Sequence, residues 1–194
     1  PSLQDVVELM KKNNYFAAMM VDEGMADGYL GGADTTTGDT LRPALQVIGC
    51  AEKGGLVTSY FLMVLPDKKW GEDGVLVFGD SAIVPDPDAG QLGQIGVAIA
   101  QAVKKLLEFD PRVAFLSFST KGSANHPAAL KVIEAVEKAR NLEPGIMFDG
   151  ELQADAALME TVAAKKDPDG EIKGRANVLV FPNLDAGNIG YKLV

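Results

Sequence analysis

Apolar residues recur at helical spacing over the first fifty positions, then alternate between short β-rich runs and longer amphipathic stretches. Ser2 and Asp5 have capping-box spacing ahead of Val6, Val7, Leu9 and Met10, which predicts a short helix. A second helix is expected in NYFAAMMVDEGMADG, capped by Asn14 and ended by Gly28. Residues 41–48 are also helical in pattern, and Pro43 is tolerable there only in the first turn.

LVTSYFLMVL (56–65) and GVLVFGD (74–80) read as strands, with the turn-rich PDKKWGEDG joining them as a hairpin. PDPDAG precedes a long helix in which Leu92, Ile95, Ile99, Ala102, Val103 and Leu106 share a face. VAFLSF (113–118) is a buried strand, and Pro127 opens a helix with Leu130, Ile133 and Val136 inward. A strand at GIMF (145–148), a helix over about 152–165, a strand at NVLVF (177–181) and a helix in NLDAGNIGYKLV follow. The alternation predicts an α/β sheet, largely parallel and covered on both faces, with an antiparallel hairpin at or near one edge. AEKGG (51–55) marks a weak boundary, and no internal repeat or low-complexity tract stands out.

Composition narrows the partners. The 194 residues carry a net charge of −9, which phosphate backbones and anionic lipid surfaces would repel, so nucleic acid and membrane are poor partners. A small anion needs only a local positive cluster. With one cysteine, Cys50, and one histidine, His126, an intramolecular disulfide and a Cys- or His-based metal cluster are excluded. No apolar run approaches 18 residues and no basic-apolar leader opens the chain, so a soluble cytoplasmic protein is expected. Cys50 and Met10, Met19, Met20 and Met25 read as core residues, His126 as a helix start, and Trp70 as a turn residue beside lysines.

The sharpest chemistry lies in GGADTTTGDTLRPALQ (31–46). Thr36, Thr37 and Gly38 offer hydroxyls and backbone N–H groups at a helix start, where the dipole favours an anion. Arg42, about one turn in, can make paired hydrogen bonds to phosphate or carboxylate. The plainer reading is a threonine-capped helix with Arg42 bridged to Asp39, and spacing alone leaves the two even. Open α/β sheets bind ligands beyond the carboxyl ends of their strands. Those ends are GDSA (79–82), SFSTKGS (117–123), DGELQAD (149–155) and FPNLDAGN (181–188), with Ser119, Thr120 and Asn188 as candidate substrate-binding residues. Any one of these loops could be no more than turns and caps. Neither GxGxxG after a strand nor GxxxxGK[ST] is present, so dinucleotide and P-loop chemistry are not indicated.

Together, NYFAAMMVDEGMADGYLGGA, TTGDTLRPALQVI, VFGDSAIVPDPDAGQL, PRVAFLSFSTKGSA, DGELQADAA and GRANVLVFPNLDAGNIGYKLV resemble the phosphate acetyltransferase (phosphotransacetylase) family, among the phosphate acetyl/butyryl transferases. The match covers nearly the whole chain in family order. The chain departs where the family often has Ser-Gly-Ala and a histidine, here Gly31-Gly32-Ala33 and Thr35. The resemblance implies an isocitrate/isopropylmalate-dehydrogenase-like three-layer α/β/α fold and a homodimer. Residues 1–52 would end a first domain, and 53–194 would form most of a second.

It further implies reversible acetyl transfer between acetyl phosphate and coenzyme A, with coenzyme A or acetyl-CoA as substrate and no bound cofactor or metal. Arg42 matches the family arginine that holds the phosphoryl group, and Thr36 and Thr37 fall on the adjoining turn. The family's thiol-activating residues follow the helix in which this sequence stops, so weak binding and little turnover are expected of the chain alone. Phosphate butyryltransferase and a non-catalytic domain such as those fused to malic enzymes are the alternatives. A dehydrogenase on the same fold is disfavoured, because no paired-Asp metal site or nucleotide fingerprint stands out.

Overall fold

The computed structural model describes residues 2–50 and 55–194. The chain falls into two compact units, Pro1–Gly55 and Leu56–Val194. The boundary expected at residues 51–55 lies almost wholly outside the described residues.

The first unit is helical. In α1 (Leu3–Met10) the capping box forms as the spacing predicts, with Ser2 and Asp5 exchanging side-chain and backbone bonds. Helix α2 runs Asn13–Asp22, so it starts at Lys12 rather than Asn14 and ends well before Gly28. Gly24 ends it instead. That residue takes φ +67°, and the N–H groups of Met25 and Ala26 turn back to the Met20 carbonyl. A glycine is what a left-handed position after a helix favours. Met10, Met19 and Met20 are half-buried, but Met25 is exposed and is not core.

Helix α3 (Thr37–Pro43) begins earlier than expected and places Pro43 at its end, not in its first turn. Proline cannot donate to the carbonyl four residues back, here that of Asp39. The Asn14 side chain donates to that oxygen at 3.2 Å, and the Tyr29 hydroxyl takes the Thr40 carbonyl at 3.1 Å. The chain then continues as a π-helical turn over Ala44–Ile48, closed by Gly49. Cys50, expected in the core, is exposed because this turn ends before reaching any core.

The second unit is an α/β sandwich of three layers. Its elements are β1 (Tyr60–Val64), β2 (Val75–Gly79), α4 (Ala89–Leu106), β3 (Arg112–Leu116), α5 (Pro127–Leu142) and β4 (Met147–Leu152). After them come α6 (Ala154–Leu158), α7 (Glu160–Lys166), β5 (Val178–Val180) and α8 (Leu184–Leu193). The sheet order is β1-β2-β5-β3-β4. Strands β2, β5, β3 and β4 are parallel, and β1 pairs antiparallel with β2 at the edge as the hairpin predicts. Neighbouring strand residues point to opposite faces. Val77, Phe115 and Val178 pack under α4 and α5, while Phe78, Leu116 and Leu179 pack against Ala156, Ala157 and Ile172.

Two helix faces differ from the expected ones. On α4 the buried stripe is Leu92, Ile95, Ile99 and Val103, while Ala102 is half-buried and Leu106, in the last turn, is exposed. On α5 the inward face is Ala129, Val132, Ala135, Val136 and Ala139, leaving Leu130 exposed. The cause is close packing: a Cβ on Gly93 of α4 would sit 2.9 Å from the Ala135 carbonyl oxygen. Small residues let the two backbones approach, so the alanine face turns inward. The single helix expected over 152–165 is broken at Met159, which is extended. There Gly174 (φ +73°) brings its backbone so close that a Cβ would meet the Met159 carbonyl carbon at 2.4 Å. Strand β1 is shorter than its apolar run, and β4 extends beyond GIMF to Leu152.

Candidate functional site

Within the first unit, a cleft of about 690 Å³ is lined by Lys12, Asn14, Gly31, Thr35, Asp39 and Arg42, among others. Thr36 caps α3. Its hydroxyl accepts from the Asp39 N–H at 3.2 Å and donates to the Asp39 carboxylate at 2.7 Å. Thr36 therefore serves its own helix, and Thr37 and Gly38 are exposed residues of the first turn outside the cleft lining. The Arg42–Asp39 bridge of the plainer reading does not form. Asp39 is engaged by Thr36, and Arg42 makes no ion pair or side-chain hydrogen bond among the described residues. A guanidinium left without an anion, in a cleft walled by glycine backbone and a threonine hydroxyl, is equipped to clamp an oxyanion.

Two cleft residues escaped sequence reasoning. Lys12 adds a second cation to the lining, and it too lacks a carboxylate partner among the described residues. Asn14 links the walls, donating to both Thr35 Oγ1 (3.4 Å) and the Asp39 carbonyl. Lys12 stands just before the α2 helix, and that position was the one signal for it. The role of Asn14 depends on a contact 25 positions away, which no local pattern carries.

In the second unit the polar loops do gather at the carboxyl ends of the parallel strands, but most of their side chains are committed. Ser119 is fully buried, donates to Glu151 Oε1 at 2.7 Å and accepts from the Ala124 N–H at 3.0 Å. Thr120 Oγ1 accepts from the Gln153 N–H at 2.9 Å, and the Gly122 N–H also reaches Glu151, at 2.8 Å. These bonds clip loop 117–123 to the end of β4. Asn188 of α8 donates to the Ser81 carbonyl at 3.3 Å and accepts from Lys192 at 2.6 Å. It joins α8 to the loop after β2. That loop is organised by Asp80, only 3% exposed, whose carboxylate accepts from the N–H groups of Ala82, Ile83 and Val84 and from the Ser59 hydroxyl. Ser119 and Thr120 thus lie together, Asn188 belongs to a neighbouring loop pair, and the Arg42 cleft belongs to the other unit. His126 caps α5 as expected, its Nδ1 accepting from the Ala128 N–H at 3.1 Å.

Below loop 117–123, Lys121 pairs with buried Asp149 and lies 3.8 Å from Asp167. Arg140 approaches Asp149 at 3.6 Å. Burial raises the Asp167 pKa above the ordinary carboxyl value; Lys121 opposes this, while Asp149, Asp169 and Glu151 add to it. A folded-state pKa above the unfolded one means that the native state binds the proton more tightly, so ionised Asp167 opposes folding at neutral pH. Asp167→Asn is therefore expected to gain stability relative to wild type above the folded-state pKa. The gain should shrink as pH falls through that value. Urea denaturation across pH checks it, and an advantage that grows towards acid would refute the sign.

The model of the phosphate acetyl/butaryl transferase family matches residues 2–194. The chain belongs to this family. It is 51% identical over 193 residues to a phosphate acetyltransferase of Thermoanaerobacterium thermosaccharolyticum, covering 100% of this chain and 59% of that protein. It is 48% identical over 180 residues to the phosphate acetyltransferase of Clostridium acetobutylicum, covering 93% and 54%. A crystal structure of a phosphotransacetylase from Streptococcus pyogenes aligns with a TM-score of 0.88 and 44% identity, over 99% of this chain and 57% of that one. The chain thus spans a little over half the length of the family members it matches.

Proposed function

We propose that this chain is the phosphoryl-holding portion of a phosphate acetyltransferase, with Arg42 as the phosphate clamp. The observation that carries the reading is the Arg42 guanidinium in the 690 Å³ cleft, which has no partner among the described residues. In the reaction, the coenzyme A sulfur forms a bond to the acetyl carbonyl carbon as the bond from that carbon to the phosphate oxygen breaks. Phosphate departs with the electron pair, and the thiol proton passes to a base. A thiol of this kind ionises near pH 8.5, so it needs a base or local positive potential. Arg42, with Lys12 beside it, stabilises the charge that collects on the leaving phosphate. Backbone at Gly31 and Gly32 lets the phosphoryl group come close.

Ser119, Thr120 and Asn188 act in this reading by holding the strand-end loops in shape, and Thr36 by capping α3. Residues 1–52 close a first domain and 53–194 form most of a second. The protein works as a cytoplasmic homodimer on acetyl phosphate, phosphate and coenzyme A, without bound cofactor. The net charge of −9 supports a small anionic substrate over nucleic acid or lipid. No described helix is long and apolar enough to cross a membrane, and no described group of three or more His, Cys, Asp or Glu could hold a metal ion.

The test is loss of free coenzyme A thiol with acetyl phosphate or butyryl phosphate, using the whole open reading frame that encodes this chain. Acetyl phosphate is expected to be preferred by about tenfold or more in kcat/KM. A butyryl preference would reassign the acyl group. Binding without turnover would make the protein a non-catalytic member.

A further inference from the structure

The second unit has another open cleft, of about 370 Å³, at the amino edge of its sheet and so opposite the strand-end loops. Its walls come from separate parts of the chain: Trp70 in the hairpin turn, Arg112 at the start of β3, Met159 between α6 and α7, and Arg175 on the approach to β5. Arg112 ties three of these segments together. Its guanidinium donates to the Arg175 carbonyl at 2.5 Å, the Gly71 carbonyl at 3.2 Å and Glu72 at 3.0 Å. Those bonds commit three of the five N–H donors of Arg112 and make the cleft a braced structure.

Two other side chains are not so committed. Trp70 is half-buried: one part packs on the core cluster beneath the sheet, and another lines the cleft beside Leu158 and Met159. Arg175 makes no side-chain hydrogen bond among the described residues, and its nearest carboxylate, Glu160, is 4.0 Å away. Lys69 also lines the cleft, 4.9 Å from the Trp70 ring centroid, but it is held by Asp67 at 2.7 Å. An aromatic face, a thioether and a loosely held guanidinium at one mouth suit a flat ring with an anion at its rim. The volume lies in the usual range for small-molecule pockets.

We propose that this cleft is a second binding site, taking a planar aromatic ligand with one anionic group, its ring on Trp70 and its anion on Arg175. The site belongs to the second unit, shares no lining residue with the Arg42 cleft and does not rest on acetyl transfer. An anion there replaces the loose Glu160 contact with paired hydrogen bonds, while the ring covers the part of the indole that lines the cleft.

Trp70 is the only tryptophan of the 194 residues and lines the cleft, so its emission reports on what binds there. The probe is adenosine monophosphate, with adenosine and inorganic phosphate supplying the ring and the anion separately. The nucleotide is expected to change the emission saturably, with a midpoint below about 1 mM. Each part alone should bind at least about tenfold more weakly, since neither makes both contacts. Arg175→Ala should weaken the nucleotide about fivefold or more and Arg175→Lys should recover part of the loss, because lysine keeps the charge without the fork. Arg42→Ala should leave the titration unchanged, which keeps this result separate from the acetyl-transfer reading. The proposal is overturned by a non-saturating response, by adenosine binding as tightly as the nucleotide, or by Arg175→Ala matching wild type.

Discussion

In the whole open reading frame that encodes this chain, Arg42→Ala is expected to lower kcat/KM for acetyl phosphate by about 10²- to 10³-fold. The size follows from what Arg42 lacks. It has no carboxylate partner among the described residues, so its removal breaks no ion pair and leaves no buried charge behind. What disappears is charge-assisted hydrogen bonding to an oxyanion that becomes more negative as the acyl bond breaks. Arg42→Lys should restore only part of the rate, since an ammonium cannot make the paired contact. Steady-state kinetics against acetyl phosphate read this directly, and values within about twofold of wild type would remove Arg42 from the site.

The second large effect is on stability. Asp80→Ala is expected to destabilise the protein by about 3 kcal/mol, because three N–H groups of half-buried residues lose their acceptor at about 1–3 kcal/mol each, with partial rescue by water. Those are the N–H groups of Ala82, Ile83 and Val84, and Ser59 loses its partner as well. At about 2–4 °C per kcal/mol for a chain of this size, Tm should fall by about 6–12 °C. The same loop carries Ser81, whose carbonyl Asn188 holds, so α8 should loosen in step. Thermal denaturation with hydrogen exchange over α8 checks both parts. A loss under about 1 kcal/mol would mean that the Asp80 carboxylate does not organise the loop.

Local chemistry was legible where local chemistry decides. Ser2 with Asp5 and His126 before Pro127 both start helices, because a cap needs only the following three residues. The parallel sheet with its antiparallel edge was legible from alternation, since apolar runs buried on both faces leave few other arrangements. Positions decided by distant neighbours were not legible. Leu130 looked inward by spacing, yet the close approach of α4 to α5 turned the alanine face in. Met159 breaks a good helical pattern because Gly174 lies against it.

The candidate site divides along the same line. Arg42 was singled out by its motif, and it has no bridge to Asp39 and no other partner among the described residues. Thr36, by contrast, turned out to be occupied as a cap. Ser119 and Thr120 have the composition of ligand-binding residues, but their hydroxyls close the loop onto Glu151 and Gln153. Composition marks a polar loop and does not say which way its donors point. Lys12 was missed because a lysine beside a helix start is ordinary until the fold brings it to the same cleft as Arg42.

The central claim is that the Arg42 cleft binds a phosphoryl anion. Isothermal titration of this chain with acetyl phosphate, wild type against Arg42→Ala, tests it most directly. Saturable binding in the millimolar range, weakened about tenfold or more by the substitution while the folded signal is kept, is the predicted result. Binding of equal strength in the two proteins would contradict it.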